Sequence, residues 1–344
     1  MRVSEASAMT LVGKLLEGRN VPSRQARQQA LVLVEAELKG HPSHGLQRLP
    51  RILARIDRGL IDPTTMGSSH WRSGAVLEVD GKKGLGPVVA LAALNRMRSE
   101  ATAAGITLAA IHNSNHLGML GHYVEQIAER GQIGIALSSS EALVHPYGGT
   151  RAVLGTNPIA IAVPTARGSL VLDLATSIVS MGKVHHHAAN GIPLQPNWAR
   201  DASGNPTTDP TLAKNGAIAP FGDAKGYGLG IAIELLVAGL AGSALAPAVL
   251  GTLDAEAVCN KGDILIAIDM AAAPDLSERL ADYLDFVRSS PAIDPGRPVA
   301  VPGDGARKRR ECAALKGFDV DDRLWTELNE LTAASQAFQQ GYMQ

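Results

Sequence analysis

Ala75-Val76-Leu77-Glu78-Val79-Asp80-Gly81-Lys82-Lys83-Gly84-Leu85-Gly86-Pro87-Val88-Val89 reads as an apolar strand, a glycine-bearing turn and the start of a helix. That order is the setting of a dinucleotide fingerprint, whose third glycine lets the helix pack closely on the strand. Here Val89 stands where that glycine belongs. The other glycine-rich run, Gly226-Tyr227-Gly228-Leu229-Gly230, lies inside an apolar helical pattern with no strand before it. A P-loop pattern is also absent. A nucleotide bound by this chain is therefore held without a Rossmann or P-loop signature.

Working outward, the first sixty residues read as helices. One runs from a Ser4 cap through Leu16, one from Ser23 through Lys39, and one from Ser43 to Arg58, ending at Gly59. After the 75–79 strand come a helix over Val88 to Ala103 and a buried strand over Ile106 to Ile111. A helix over Leu120 to Arg130 and strands over Ile133 to Ser138, Ile159 to Val163 and Leu170 to Leu174 follow. Ser177 to Ala189 reads as a helix, then a polar loop through Ala219, a helix over Lys225 to Ala241, a strand over Ile264 to Ile268 and a helix over Pro274 to Val287. Ser289 to Arg310 reads as a proline- and charge-rich tail before a last helix over Asp321 to Ala337. Strands alternate with helices only in the middle. The expected fold is α/β, with a central lobe over 73–274 and a helical, substrate-side unit made of 1–72 plus 275–344.

Composition narrows the function. Of 344 residues, 45% are hydrophobic and 19% charged, ordinary for a globular chain with a large core. A net charge of -1 favours neither nucleic acid nor anionic membrane as partner, and 3% aromatics argue against base stacking. No apolar run approaches the roughly 20 residues of a membrane span. The N-terminus lacks a signal-peptide pattern, so a cytoplasmic location is expected. Cys259 and Cys312 form neither a disulfide framework nor a metal-ligand spacing.

Chemistry first shows in His41-Pro42-Ser43-His44-Gly45-Leu46-Gln47-Arg48. On a helix starting near Pro42, His44 and Arg48 would share one face. A guanidinium can hold a carboxylate through two parallel hydrogen bonds, and a histidine can hand a proton to a carbonyl oxygen or imine nitrogen. An α-keto acid offers both targets on adjacent carbons. The plainer reading is a solvated helix face. Helix-end dipoles would also lower the His44 pKa.

Other stretches carry polar residues to strand ends. Asn113-Ser114-Asn115-His116-Leu117-Gly118 follows the 106–111 strand, where His116 is a second proton-transfer group or orients a cofactor amide, unless the asparagines only cap the next helix. Gly155-Thr156-Asn157-Pro158 enters the 159–163 strand, and Asp173-Leu174-Ala175-Thr176-Ser177 leaves the 170–174 strand for a helix, a place that suits phosphate or simply an N-cap. Gly182-Lys183 and His185-His186-His187 make a cationic patch. Consecutive histidines on a helix fan out, which argues against a metal. Lys225 opens a glycine-rich helix, with Asp223 to cap it or hold Lys225, and Pro302-Gly303-Asp304-Gly305 reads as a turn.

Ser43-His44-Gly45 with Arg48, Asn113 to Gly118, Gly155 to Pro158, Asp173 to Ser177 with Gly182-Lys183, Ala224 to Leu229, and Pro302-Gly303 occur in one order across nearly the whole chain. Together they resemble the malate/L-lactate dehydrogenase-like family of NAD(P)-dependent oxidoreductases. The resemblance implies a non-Rossmann fold with a mixed-sheet cofactor lobe, a homodimer, and an active site in a cleft between lobes. It implies His44 as proton donor and acceptor, Arg48 on the substrate carboxylate, and His116 beside nicotinamide and substrate. It further implies a cofactor set of Thr156, Asp173, Leu174, Ala175, Thr176, Lys183, Lys225, Gly226, Gly303 and Asp304. Asp304 departs from the glutamate common after Pro-Gly, and the histidine triplet replaces a more varied stretch. The expected reaction is hydride transfer between NAD(P)H and C2 of a 2-oxo acid of malate, lactate or sulfolactate type. Reduction of a cyclic imine and a catalytically inactive ligand-binding dimer are the alternatives. The triplet and Lys183 tilt the cofactor towards NADP, since a cation can meet the 2′-phosphate.

Overall fold

The computed structural model describes residues 1–270, 272–273 and 275–341, with the side chains of Ser99 and 333–341 left aside. Strand β1 (Arg2–Val3) leads into helices α1 (Glu5–Glu17) and α2 (Ser23–Leu38). Ser4 caps α1, its Oγ accepting from Ser7 N at 3.1 Å. The predicted helix from Ser43 to Arg58 is not one helix. Two three-residue 3-10 turns, Pro42–His44 and Leu46–Arg48, precede α3 (Leu49–Asp57). Gly45 leaves helical backbone angles (φ −95°, ψ −143°), and Pro50 has no N–H to offer the Leu46 carbonyl. His44 and Arg48 therefore do not share an α-helical face.

Next come β2 (Ser68–Ser73), β3 (Val76–Asp80), α4 (Gly86–Ala104), β4 (Ile106–His112), α5 (Gly121–Ala128), β5 (Gln132–Ser138), β6 (Ile159–Val163) and β7 (Leu170–Leu174). Helix α6 (Met181–Ala189) starts later than Ser177 because Ser180 is its cap, accepting from Lys183 N at 3.2 Å. The stretch read as a polar loop holds β8 (Ala199–Arg200), β9 (Pro206–Thr207), α7 (Pro210–Ala213) and β10 (Ala217–Ile218), the three strands forming a small sheet. The chain continues through α8 (Ala224–Ala241), β11 (Asp263–Asp269), α9 (Leu276–Arg288), α10 (Asp304–Lys316), β12 (Phe318–Asp319) and α11 (Asp322–Gly341). Helix α10 occupies the end of the region read as a tail. Pro274, where the sequence starts a helix and closes the central lobe, lies outside the described residues.

The main sheet has seven strands in the order β2-β3-β4-β11-β5-β6-β7. Only β3 and β4 run parallel; the other neighbours are antiparallel. Period-2 alternation sorts its two faces. Ala109, Ile111, Ala136 and Leu265 pack with α4 and α5, while Ala110, Leu137 and Ile264 pack with Ile233 and Val237 of α8. Among the described helices α8 is the one long and apolar enough to cross a membrane, contrary to the expectation of no such run. Its packing on the sheet makes it a core-flanking helix. A separate core joins α1, α2 and α3 to Phe318, Val320 and Leu328, and β1 pairs with β12 beside it.

Candidate active site

The segment carrying His44 and Arg48 is locked onto α2. Glu37 accepts from Leu46 N, the first residue of the second 3-10 turn, at 2.7 Å. A Cβ on residue 45 would stand 2.2 Å from Glu37 Oε1, so glycine is what lets the carboxyl close under the loop. Burial lifts the Glu37 pKa to about 7, against the Leu46 hydrogen bond. Arg48 Nε donates back to Ser43 O at 2.8 Å. That bond leaves both Arg48 Nη groups with no hydrogen bond or ion pair to any described residue. His44 Nδ1 lies 3.0 Å from Ser43 Oγ.

The facing wall is the loop after β4. Asn115 donates to the carbonyls of Lys83 and Gly84, 2.9 Å each, and its Oδ1 accepts from Arg55 Nε and Nη2 at 3.2 and 3.0 Å. A Cβ on Gly86 would meet His116 O at 2.3 Å. The glycine pair that imitates a fingerprint thus serves close approach of the 115–116 backbone to α4. Asn113 and Asn115 do not cap α5; Asn113 instead donates to Asp80 Oδ1 at 3.2 Å. His116 Nδ1 accepts from Gly118 N at 2.9 Å, so the neutral ring carries its proton on Nε2.

The two imidazoles meet with ring centroids 5.6 Å apart. Burial, then the charge of Arg48 and His41, lowers His44 to about 3. Burial, then Arg48 and His44, holds His116 well below its ordinary value. The depression expected from a helix N-terminus is thus present at His44, but its cause is burial and Arg48, since no α-helix begins there. Arg48, Arg51, Arg55 and His116 wall one cavity with Asn115 and Thr252. His44 packs against His116 rather than lining that wall. Arg48 is itself lowered to about 10, by burial and then by Arg51, with Glu141 opposing.

The remaining motifs form two further clusters. Buried Asn157 (φ +35°) donates to Gly230 O at 3.0 Å and Glu234 Oε2 at 2.6 Å, fixing the turn that presents Thr156. Thr156 O accepts from Thr176 N and Oγ1 at 2.8 and 2.9 Å. A Cβ on Gly226 would lie 2.9 Å from Thr176 O. Thr156, Ala175-Thr176 and Gly226 therefore converge. Lys225 is exposed beside them, and Asp223 (φ +55°) makes no side-chain cap.

Asp173 and Gly303 line a second cavity with Lys39, His41 and Arg309. Leu174 follows Asp173 at the end of β7. Asp173 Oδ2 accepts from Gly121 N at 2.6 Å, and burial lifts its pKa to about 6. Asp304 is spent elsewhere: it accepts from Arg288 Nε and Nη2 at 2.9 and 2.8 Å and from Val301 N at 3.1 Å. Lys183 stands over the Trp198 ring, 4.9 Å from its centroid, and lines neither cavity. Sequence reading missed Arg51, Arg55, Lys39, His41 and Arg309. The spacing of 48, 51 and 55 was a visible signal for the first two. Nothing local ties Arg309 to Lys39, whose carbonyl accepts from Arg309 Nε at 2.7 Å.

A family model described as malate/L-lactate dehydrogenase matches residues 3–329. The chain belongs to the malate/L-lactate dehydrogenase family. It is 35% identical over 331 residues to the malate/(S)-sulfolactate dehydrogenase of Methanothermus fervidus, covering 96% of this chain and 97% of that one. It is 37% identical over 328 residues to the (2R)-3-sulfolactate dehydrogenase (NADP(+)) of Chromohalobacter salexigens, covering 93% and 96%. The crystal structure of a dehydrogenase from Sinorhizobium meliloti superposes with a TM-score of 0.94 at 55% identity, covering 96% and 98%. As a family member, this chain is an oxidoreductase, a dehydrogenase that works with a nicotinamide cofactor.

Proposed function

We propose that the enzyme transfers hydride between NAD(P)H and C2 of a small 2-oxo acid, forming the 2-hydroxy acid and NAD(P)+ with uptake of one proton. The observation that carries this reading is the pair of unpartnered Arg48 Nη groups on the wall of a cavity shared with His116, with His44 in ring contact behind it. Arg48 grips the C1 carboxylate through those groups. His44 gives its proton to the C2 oxygen and takes it back in the oxidation direction. The substrate carboxylate, by screening Arg48, raises the His44 pKa towards a useful value. Nicotinamide supplies the hydride when bound. A second reading makes His116 the donor, favoured by its place on the cavity wall and its Nε2–H tautomer.

The second cavity suits the cofactor. Gly121, Gly303 and Gly305 keep its walls low, and Arg309 brings a guanidinium to it, while Lys39 is ion-paired with Glu125 on the same wall and burial, then Arg309 and Lys39, holds His41 below its ordinary pKa. That guanidinium supports NADP, held there rather than at Lys183. The Thr156–Thr176–Gly226 cluster lies at the carboxyl end of β7, where it extends the proposed cofactor wall. We place the protein in the cytoplasm as a homodimer of two lobes per chain. The exposed apolar side chains Leu235 and Leu236 on the outer side of α8 support burial against a second copy. The deciding test is steady-state assay of pyruvate, oxaloacetate, sulfopyruvate and a cyclic imine with NADH and NADPH. Reduction of the imine alone, or binding without turnover, would replace the 2-oxo acid reading.

A further inference from the structure

The loop that carries His44 and Arg48 has little of its own to hold its shape. Its two three-residue 3-10 turns are closed by Gly45 N on Pro42 O and Arg48 N on Gly45 O, at 3.0 Å each, and lack the run of bonds that stiffens a longer helix. Two helices set its geometry from outside. On the α2 side, Glu37 is 8% exposed and accepts from Leu46 N, and Gly45 admits the carboxyl so closely that an added Cβ would also meet Glu37 Cδ at 2.5 Å. On the α6 side, Gly182 makes the matching approach. A Cβ there would stand 2.9 Å from Ser43 Cβ and 3.4 Å from Gln47 Nε2. Ser43 touches both functional side chains: its Oγ lies 3.0 Å from His44 Nδ1 and its carbonyl accepts from Arg48 Nε. A hydroxyl can donate to a neutral ring nitrogen and accept from a charged one, so that contact survives either protonation state of His44. His185, one turn beyond Gly182, has its pKa lowered by burial and then by Lys214, Arg51 and Arg48, in keeping with a helix face turned towards the arginine wall.

We infer that Glu37 and Gly182 are positioning residues for the reaction, pressing the 43–48 loop from α2 and from α6 so that the His44 ring and the Arg48 guanidinium meet one substrate together. This rests on the reading of His44 as proton donor and Arg48 as carboxylate grip. Neither positioning residue needs to touch substrate. A misplacement of about 1 Å in a reacting pair costs about 10²-fold in rate, and each contact is tight enough to impose one when altered. Gly182 is then the member of the Gly182-Lys183 pair that serves the active site, through its lack of a side chain.

The test is kcat and KM for whichever of pyruvate, oxaloacetate and sulfopyruvate the wild type reduces fastest, with the Kd for NAD(P)H, in Gly182→Ala, Glu37→Leu, Glu37→Gln and Gly13→Ala. Gly13 lies in α1 with nothing within 4 Å of an added Cβ, so its variant reports helix propensity alone. Gly182→Ala and Glu37→Leu should each lower kcat and raise KM together, losing about 10² in kcat/KM, with the Kd for NAD(P)H within about threefold of the wild type. The joint movement marks the loop, since removing the His44 ring should act on kcat and removing the Arg48 guanidinium on KM. Glu37→Gln, which keeps an oxygen for Leu46 N, and Gly13→Ala should both stay within about threefold on both constants. Wild-type kcat and KM in either Gly182→Ala or Glu37→Leu, even with a lowered thermal midpoint, leaves a structural contact only and overturns the two-sided positioning. An equal loss in Glu37→Gln overturns it as well. Wild-type constants in His44→Ala and Arg48→Ala would instead overturn the reading on which it rests.

Discussion

Two histidine clusters in this chain differ in everything except residue type. His44 and His116 lie 72 residues apart in sequence, meet at 5.6 Å between ring centroids and are both pushed towards neutrality by burial and Arg48. His185, His186 and His187 are consecutive on α6. His186 is exposed, His187 packs 5.9 Å from Trp198, and the His185 pKa is lowered by burial and then by Lys214, Arg51 and Arg48. The contrast teaches that a functional imidazole is made by what the fold brings to it. A run of histidines in sequence brings only itself.

The largest expected effect falls on the buried pair. His44→Ala should lower kcat by about 10²–10⁴ with cofactor binding kept, the range for loss of a general acid. His116→Ala is the control that decides between the two rings. A greater loss in kcat for His116→Ala than for His44→Ala would move the proton donor to His116. Next comes Arg48→Ala. Loss of a bidentate charge-assisted grip should raise KM for the keto acid by about 10²-fold while leaving the Kd for NAD(P)H within about threefold. An unchanged KM would separate Arg48 from the substrate.

Much of this contrast was legible from the residues alone, and the gaps have physical causes. Strands β6 and β7 fall on the expected residues because apolar runs between breakers leave little choice of register. Strand β2 was invisible, since Ser-Ser-His-Trp-Arg-Ser is a polar edge with one neighbour. The broken start of α3 was hidden because a 3.6-residue pattern looks the same whether or not Gly45 and Pro50 interrupt it. In the site, His44, Arg48 and His116 converge as their chemistry suggested. The cation for a 2′-phosphate is expected of Lys183 and the triplet, yet none of these lines the second cavity, the proposed cofactor site, where Arg309 stands. Arg309 reaches Lys39 across 270 positions, a pairing no local pattern encodes.

That reassignment predicts a smaller effect. Arg309→Ala should weaken NADPH binding about tenfold and NADH binding less than twofold, by fluorescence titration, if its guanidinium meets the 2′-phosphate. Equal weakening of both cofactors would make Arg309 a scaffold for the Lys39 carbonyl alone.

Acid titration sharpens the comparison further. His44 has a folded pKa of about 3 against an ordinary 6.5, so below about pH 6.5 the unfolded chain binds a proton the folded chain refuses. Its contribution to stability is present above that pH and is lost as pH falls towards 3. Glu37 and Asp173 run the other way, their raised folded pKa values favouring the folded state as pH drops from about 7 and about 6. The wild-type curve mixes these signs, and the variant isolates one. His44→Gln, which cannot charge, should gain a few degrees in thermal midpoint over the wild type at pH 5 relative to pH 7.5. A pH-independent difference would mean that His44 is not held neutral by the fold.

The smallest effect should come from the cluster that looks richest in sequence. In His186→Ala/His187→Ala, the removed rings leave Lys183 on Trp198 and touch neither cavity. Surface side chains away from a buried network shift stability by about 0.5 kcal/mol or less. NADPH affinity and kcat/KM should both stay within about twofold. A tenfold loss of NADPH affinity in this variant, with Arg309→Ala silent, would return the 2′-phosphate to α6. It would also show that three adjacent histidines can build a site without being gathered by the fold.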